Sequence, residues 1–234
     1  KISVKSMNSS SAERELHRMD TDMSTKSVLG VFILILIGLV FTFWDFVSVV
    51  PISAGLMWTL VVVGIVVALL IGFFVAAACG YMAGLIGTSA SPISGIGILA
   101  TIISSLVVYF IAAENNLFAT QEGVQFATAM AIFMTSVVIA IASISNDNLQ
   151  DLKTGQLVGA TPWRQQIALL LGSVAGAIAI APVLNLLYQA YGFTGALPRA
   201  EMDPNAALSA PQATLMTTIA QGIFNSSMDW DYIL

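Results

Sequence analysis

The sequence predicts an all-α fold: a polytopic transmembrane helix bundle with about five spanning helices and the start of a sixth. Three observations predict it. No basic residue occurs between Lys26 and Lys153. Hydrophobic residues make up 57% of the chain and charged residues 9%, against about 25% charged in soluble domains. In water such a chain would expose far more apolar surface than the few hundred Å² soluble proteins tolerate. Finally, the apolar residues come in continuous runs without period-two alternation, which favours helices over a barrel. Five of those runs approach or exceed the ~20 residues that cross a hydrocarbon core.

The first 27 residues are polar and read as a cytoplasmic loop or tail. They are not a signal peptide, having no apolar stretch of their own. The transmembrane domain is expected over 28–234, with spans at about 28–44, 56–80, 93–113, 124–144 and 165–188. A sixth, weaker segment begins near Ala213. The chain opens on Lys1 and stops soon after this segment starts, so a portion of a longer protein is expected. The single cysteine, Cys79, lies in an apolar segment and reads as a small packing residue.

The second span carries Gly64, Ala68, Gly72, Ala76, Gly80 and Gly84 at every fourth position. On a helix of 3.6 residues per turn these form a slow spiral groove that admits a neighbouring backbone. The glycines Gly80, Gly84 and Gly87 should then end or break the helix. Ser91 as N-cap and Pro92 at the first position signal the next helix. If the interruption 81–92 is re-entrant, it suits a substrate carboxylate; if it lies at the surface, it is a capped turn.

The third span places Ser94, Gly97, Thr101, Ser105 and Tyr109 on one face. That face is either a packing seam or the lining of a polar path. No Asp, Glu, Lys or Arg falls in the middle of any span, which counts against a proton carrier in this portion. The polar segment 145–164 reads as a loop, either a solvated linker or a gate. Its Thr161-Pro162 pair signals the start of the fifth span. Gly172 and Gly176 form a close-approach pair there, followed by Pro182 and Asn185.

If every span crosses, the loops on one side hold seven of the eight basic residues, and those on the other hold Arg199 alone. That side is expected to be cytoplasmic, in the plasma (bacterial inner) membrane. Trp44 and Trp58 bracket the first loop on the opposite side, as interfacial aromatics do. The sequence has no metal-ligand spacing and no phosphate loop. Its one histidine, His17, lies in the polar tail and pairs with no nucleophile. An enzyme, a cofactor and a nucleic-acid partner are therefore not expected.

Two segments together resemble the oligopeptide transporter family, which includes the plant yellow-stripe metal-chelate carriers. One is Gly84-Leu-Ile-Gly-Thr-Ser-Ala-Ser-Pro92-Ile-Ser-Gly95. The other is Asn148-Leu-Gln-Asp-Leu-Lys-Thr-Gly155, continuing through Val158-Gly-Ala-Thr-Pro-Trp-Arg-Gln-Gln166. The run Ala210-Pro-Gln-Ala-Thr-Leu-Met216 is similar to the bacterial branch. The chain departs from the commoner motif at Ala90 and Ser91, where relatives often carry amides. The resemblance implies an interior portion of a transporter of about sixteen helices built from repeats. The remaining helices would be its partners within the bilayer. It also implies secondary active uptake of small peptides or peptide-like metal chelates, with protons as coupling ion. A passive pore, or a non-transporting membrane subunit, is the alternative. The candidate substrate-binding or gating residues are Gly87, Ser89, Ser91, Pro92, Ser94 and Gly95 at the break, with Asn148, Gln150, Asp151 and Lys153.

Overall fold

A computed structural model describes residues 20–193 and 206–225. Most of the polar tail, together with Arg199, Glu201 and Asp203, lies outside the described residues. Among the described residues, six α-helices follow in order: α1 (Thr25–Ser48), α2 (Ala54–Ile86), α3 (Ile93–Glu114), α4 (Gln121–Val158), α5 (Pro162–Ala190) and α6 (Pro211–Phe224). Short 3₁₀ turns at Thr88–Ala90 and Leu117–Ala119 join α2 to α3 and α3 to α4. The first five helices are long and apolar enough to cross a membrane.

Local chemistry sets the starts. Ser24 caps α1 by accepting from the Ser27 N–H at 3.2 Å, and Ser53 caps α2 by accepting from Leu56 at 3.3 Å. Thr120 caps α4 by accepting from Gly123 at 3.1 Å, with Glu122 in the first turn facing the positive end of the helix dipole. Pro162 occupies the first turn of α5, where its missing N–H costs nothing.

α4 is the central helix, packed against α2, α3 and α6. The small-residue spiral of α2 works as a close-packing seam. A Cβ on Gly64 would lie 2.5 Å from the Phe43 ring, and one on Gly72 would lie 2.6 Å from Ile141. Phe43 meets Phe133 edge-on at 4.9 Å, while Phe46 stacks on Phe133 at 4.6 Å, which ties α1 to α4. The opposite faces of α1 and α2 present Leu34, Phe41, Leu70, Phe73 and Phe74 outward, as lipid-facing helices do.

Three expectations are corrected. The glycine series does not end α2 at Gly80: the helix continues to Ile86, and Gly87 alone takes a positive φ, 107°. A helical glycine costs only ~1 kcal/mol against alanine. Gly80 is buried against Ser145 and Leu149, a contact a side chain would obstruct.

The second correction concerns the polar loop 145–164, which is helical as far as Val158. Its polar residues sit on a continuation of α4 that ends at Gly159, in the left-handed region at φ 73°. There the Ala160 N–H donates to the Gly155 carbonyl at 2.8 Å, a Schellman-type closure that glycine permits.

The third correction is at Ser91. Pro92, not Ser91, holds the N-cap position of α3, and no side chain caps that helix. The Ser91 hydroxyl is directed to another helix.

The serine-threonine face of α3 is closed by packing. Thr101 and Ser105 are fully buried. The Thr101 hydroxyl donates to the Gly97 carbonyl at 2.8 Å, and Met216 and Ile139 cover Gly97. α3 is about 33 Å long at 1.5 Å per residue, close to one hydrocarbon thickness of about 30 Å. The break 87–92 lies at one end of α3 and Glu114 at the other.

Candidate functional site

The two motif-bearing segments meet at that end. Gly87 turns the chain out of α2, and the Thr88–Ala90 turn sets it against α4. The Thr88 N–H donates to Gln150 Oε1 at 2.9 Å. The Ser91 hydroxyl donates to Asn146 Oδ1 at 2.5 Å. The neighbouring Ser145 hydroxyl donates to the Ala76 carbonyl at 2.7 Å, binding α4 to α2. Asn146 and Gln150 are four residues apart, so one helix face presents two amides to the break. Asn146 is 3% exposed, and a buried amide left unpaired costs about 1–3 kcal/mol. The bond to Ser91 therefore secures both segments.

The hairpin from α4 to α5 is clamped nearby. Gly155 is buried, and a Cβ there would collide with the Gln165 side-chain amide. That close approach lets Gln165 Nε2 donate to the Asp151 carbonyl at 2.9 Å. The Met23 N–H donates to Gln166 Oε1 at 3.2 Å, and the Trp163 N–H to the Thr21 carbonyl at 3.3 Å. The segment before α1 is thereby tied to the start of α5. The start of α1, the break, the end of α4 and the start of α5 all lie at one end of the molecule. α6 reaches the same end, where Gln212 Nε2 donates to Ser94 Oγ at 2.7 Å.

Of the candidate residues, the structure brings Gly87, Ser91 and Gln150 into this junction and joins Ser94 to α6. Ser89, Pro92 and Gly95 are exposed around it. Asn148 is half-buried on α4 and makes no side-chain hydrogen bond among the described residues. Asp151 and Lys153 are exposed, and Lys153 Nζ donates to Gln156 Oε1 on its own helix at 3.4 Å. Sequence reasoning missed Asn146, Ser145, Gln165 and Gln212. The spacing of Asn146 and Gln150 carried the signal, but it shows only once 145–158 is read as helix.

Between the end of α4 and the first half of α5 lies a cavity of about 560 Å³, bordered by Asp151, Thr154, Gln165, Leu169, Gly172 and Ser173. Gln165 Oε1 is shielded from solvent and has no hydrogen-bond partner among the described residues. No cluster of His, Cys, Asp and Glu suited to a metal occurs among the described residues.

Comparison with known proteins places this arrangement. A family model described as "OPT oligopeptide transporter protein" matches residues 1–234. A Haemophilus influenzae protein described as "Putative oligopeptide transporter" is 56% identical over 222 residues, covering 95% of this chain and 35% of that protein. The chain thus spans about a third of the length of the curated relative it matches. No solved structure matches it. With five helices apolar enough to span, it is an integral membrane protein. Matched along its whole length, the chain belongs to the OPT oligopeptide transporter family.

Proposed function

We propose that the chain forms part of a secondary active importer of small peptides, with peptide-like metal chelates as the related substrate class and protons as coupling ion. In this proposal the junction of the break with α4 is a gate on the cytoplasmic side, the side richer in Lys and Arg. The observation that carries it is the pairing of the two motifs by Thr88–Gln150 and Ser91–Asn146. A contact made of two hydrogen bonds between separate helices has a modest net strength, about 0.5–1.5 kcal/mol per bond. In this proposal the bonded contact is the closed state of the gate, weak enough to open within a transport cycle. Asp151 and Lys153, exposed one turn beyond Asn148 and Gln150, border the mouth of this gate.

The spans described here carry no carboxylate at mid-depth. A proton carrier is therefore assigned to helices outside this chain. The pore alternative loses its lining, since the hydroxyl face of α3 packs against α4 and α6. The test is uptake of labelled trialanine into proteoliposomes, with and without an inward proton gradient. Accumulation that needs the gradient is the expected result. Conductance independent of any gradient sinks coupled transport in favour of a pore.

A further inference from the structure

We propose that α5 is the docking helix for the rest of the full-length protein. Helices from outside this chain pack along its edge of Ala168, Gly172, Ala175 and Ala179, while the outer faces of α1 and α2 stay in lipid. This interface stands whether or not the transport reading does. α2, α3 and α4 bury 28%, 39% and 44% of their most apolar stretches, and α5 buries none. The contacts of α5 run through its first turns, where Gln165 meets Gly155 and donates to the Asp151 carbonyl. From Leu170 to Leu186 every residue is exposed. Side chains of other helices lie within 2.6 Å of a Cβ built on Gly64, Gly72 or Gly97, whereas nothing lies within 4 Å of one on Gly172 or Gly176.

Bareness alone does not say what covers a helix, since α1 buries only 6% of its apolar stretch. The length of the protein supplies the occupant. The matched stretch is 35% of the Haemophilus influenzae relative, so about two thirds of that protein lies outside the match. The chemistry of the faces then sorts them. Positions 168, 172, 175 and 179 fall within about 40° of one line on a helix of 3.6 residues per turn, and none carries more than a methyl group. Lipid tails are as apolar as leucine, so helices associate where small residues let backbones come close. α1 and α2 instead turn Leu34, Phe41, Leu70 and Phe73 outward, and their open glycines Gly30 and Gly38 stand among Leu29, Phe32 and Ile37. A separate feature points the same way. Pro182 stands inside α5 and leaves the Ile178 carbonyl without its helical donor. In hydrocarbon a freed carbonyl is tolerated where a neighbouring helix supplies a donor. Asn185, exposed one turn on, adds an amide of the kind that bonds across helices. The cavity between α4 and α5 is bordered by Ala168 and Gly172, so it continues the same edge.

The test needs no substitution. The full-length protein in liposomes is illuminated with a lipid-soluble diazirine, which tags side chains touching acyl chains, and the tags are located by mass spectrometry. In this chain Leu171 and Ile178, which flank the edge, are 67% and 71% exposed, matching Leu34 and Leu70 at 69% and 62%. In the full-length protein Leu171 and Ile178 should take at least fivefold less label than Leu34 and Leu70. Equal labelling overturns the inference, because lipid then covers α5 as it covers α1 and α2. The labelling is repeated on the monomeric protein in detergent. Persistent protection of Leu171 and Ile178 is the expected result. Protection lost on dissociation to monomers means that a second copy covers α5, which also overturns the inference. A substitution checks the edge itself. Ala175→Leu should lower the unfolding temperature of the full-length protein by about 3 °C or more, as overpacking does, while Val174→Leu on the flank should leave it within about 1 °C. An unchanged unfolding temperature in Ala175→Leu counts against a packed edge and overturns the inference. None of these readouts involves uptake, so their failure leaves the transport proposal standing.

Discussion

Ser91, on the break after α2, donates its hydroxyl to Asn146 Oδ1 on α4 at 2.5 Å, across 55 residues of sequence. With Thr88–Gln150 it forms the contact that converts two separate motifs into one junction. Its position at the end of the bundle matters as much as its chemistry. A latch there can open without disturbing the packed middle, where α2 approaches α1 at Gly64 and α4 at Gly72.

Breaking the latch should separate function from fold. Asn146→Ala leaves the Ser91 hydroxyl without its acceptor and should lower trialanine uptake about tenfold. A net hydrogen bond contributes about 1 kcal/mol, so thermal unfolding should shift by only a few degrees. A double-mutant cycle with Ser91→Ala should give a coupling of at least 0.5 kcal/mol, as expected for residues in contact. Additive effects would show that the two residues act independently.

Gly87 turns the chain at φ 107°, a conformation an L side chain rarely adopts. Gly87→Ala should cost roughly 1–2 kcal/mol of local strain and loosen the Thr88–Gln150 contact. Faster hydrogen exchange at Thr88 and Ser91 is the expected signature. Unchanged exchange would mean that the turn tolerates a side chain and that the glycine serves another purpose.

Gly155→Val should push Gln165 off α4, because a side chain at 155 collides with the Gln165 amide. Only the end of a flexible side chain has to move, so the cost is chiefly the Gln165–Asp151 hydrogen bond, about 0.5–1.5 kcal/mol. Adding Gln165→Ala to the same protein should then cost little more. Both proteins can be ranked by thermal unfolding in one detergent. A double variant markedly less stable than Gly155→Val alone would locate the clash elsewhere.

Gly97 lets α6 dock on α3: its hypothetical Cβ lies 2.5 Å from Met216 and 3.2 Å from Ile139. Gly97→Leu should displace the start of α6 and break Gln212–Ser94. A Ser94→Cys/Gln212→Cys pair should cross-link in the parent protein and lose at least 80% of its yield beside Gly97→Leu. Undiminished cross-linking would place α6 differently.

Lys153→Ala should reduce uptake several-fold at unchanged expression if Lys153 borders the gate. Its exposed position and its bond to Gln156 make a packing loss an unsuitable explanation. Uptake equal to the parent would remove Lys153 from the gate.

Much of this protein was legible without coordinates. Continuous apolar runs determined the helices and their number, because a lipid solvent forces every backbone donor to be satisfied within its own segment. The small-residue series in α2 foretold close approach, and Thr161-Pro162 foretold the start of α5. The extent of α4 was not legible. Polar residues after Ser145 look like a loop when helices are recognised by hydropathy, yet a helix leaving the hydrocarbon keeps its hydrogen bonds in polar surroundings until a left-handed glycine ends it. Which glycine breaks a helix was equally hidden, since Gly80 and Gly87 differ only in what lies beside them. The meeting of Ser91 with Asn146, and of Gln165 with Gly155, belongs to tertiary structure alone. Local pattern specifies which face of a helix is small or polar; only the packing of distant helices decides which partner that face receives.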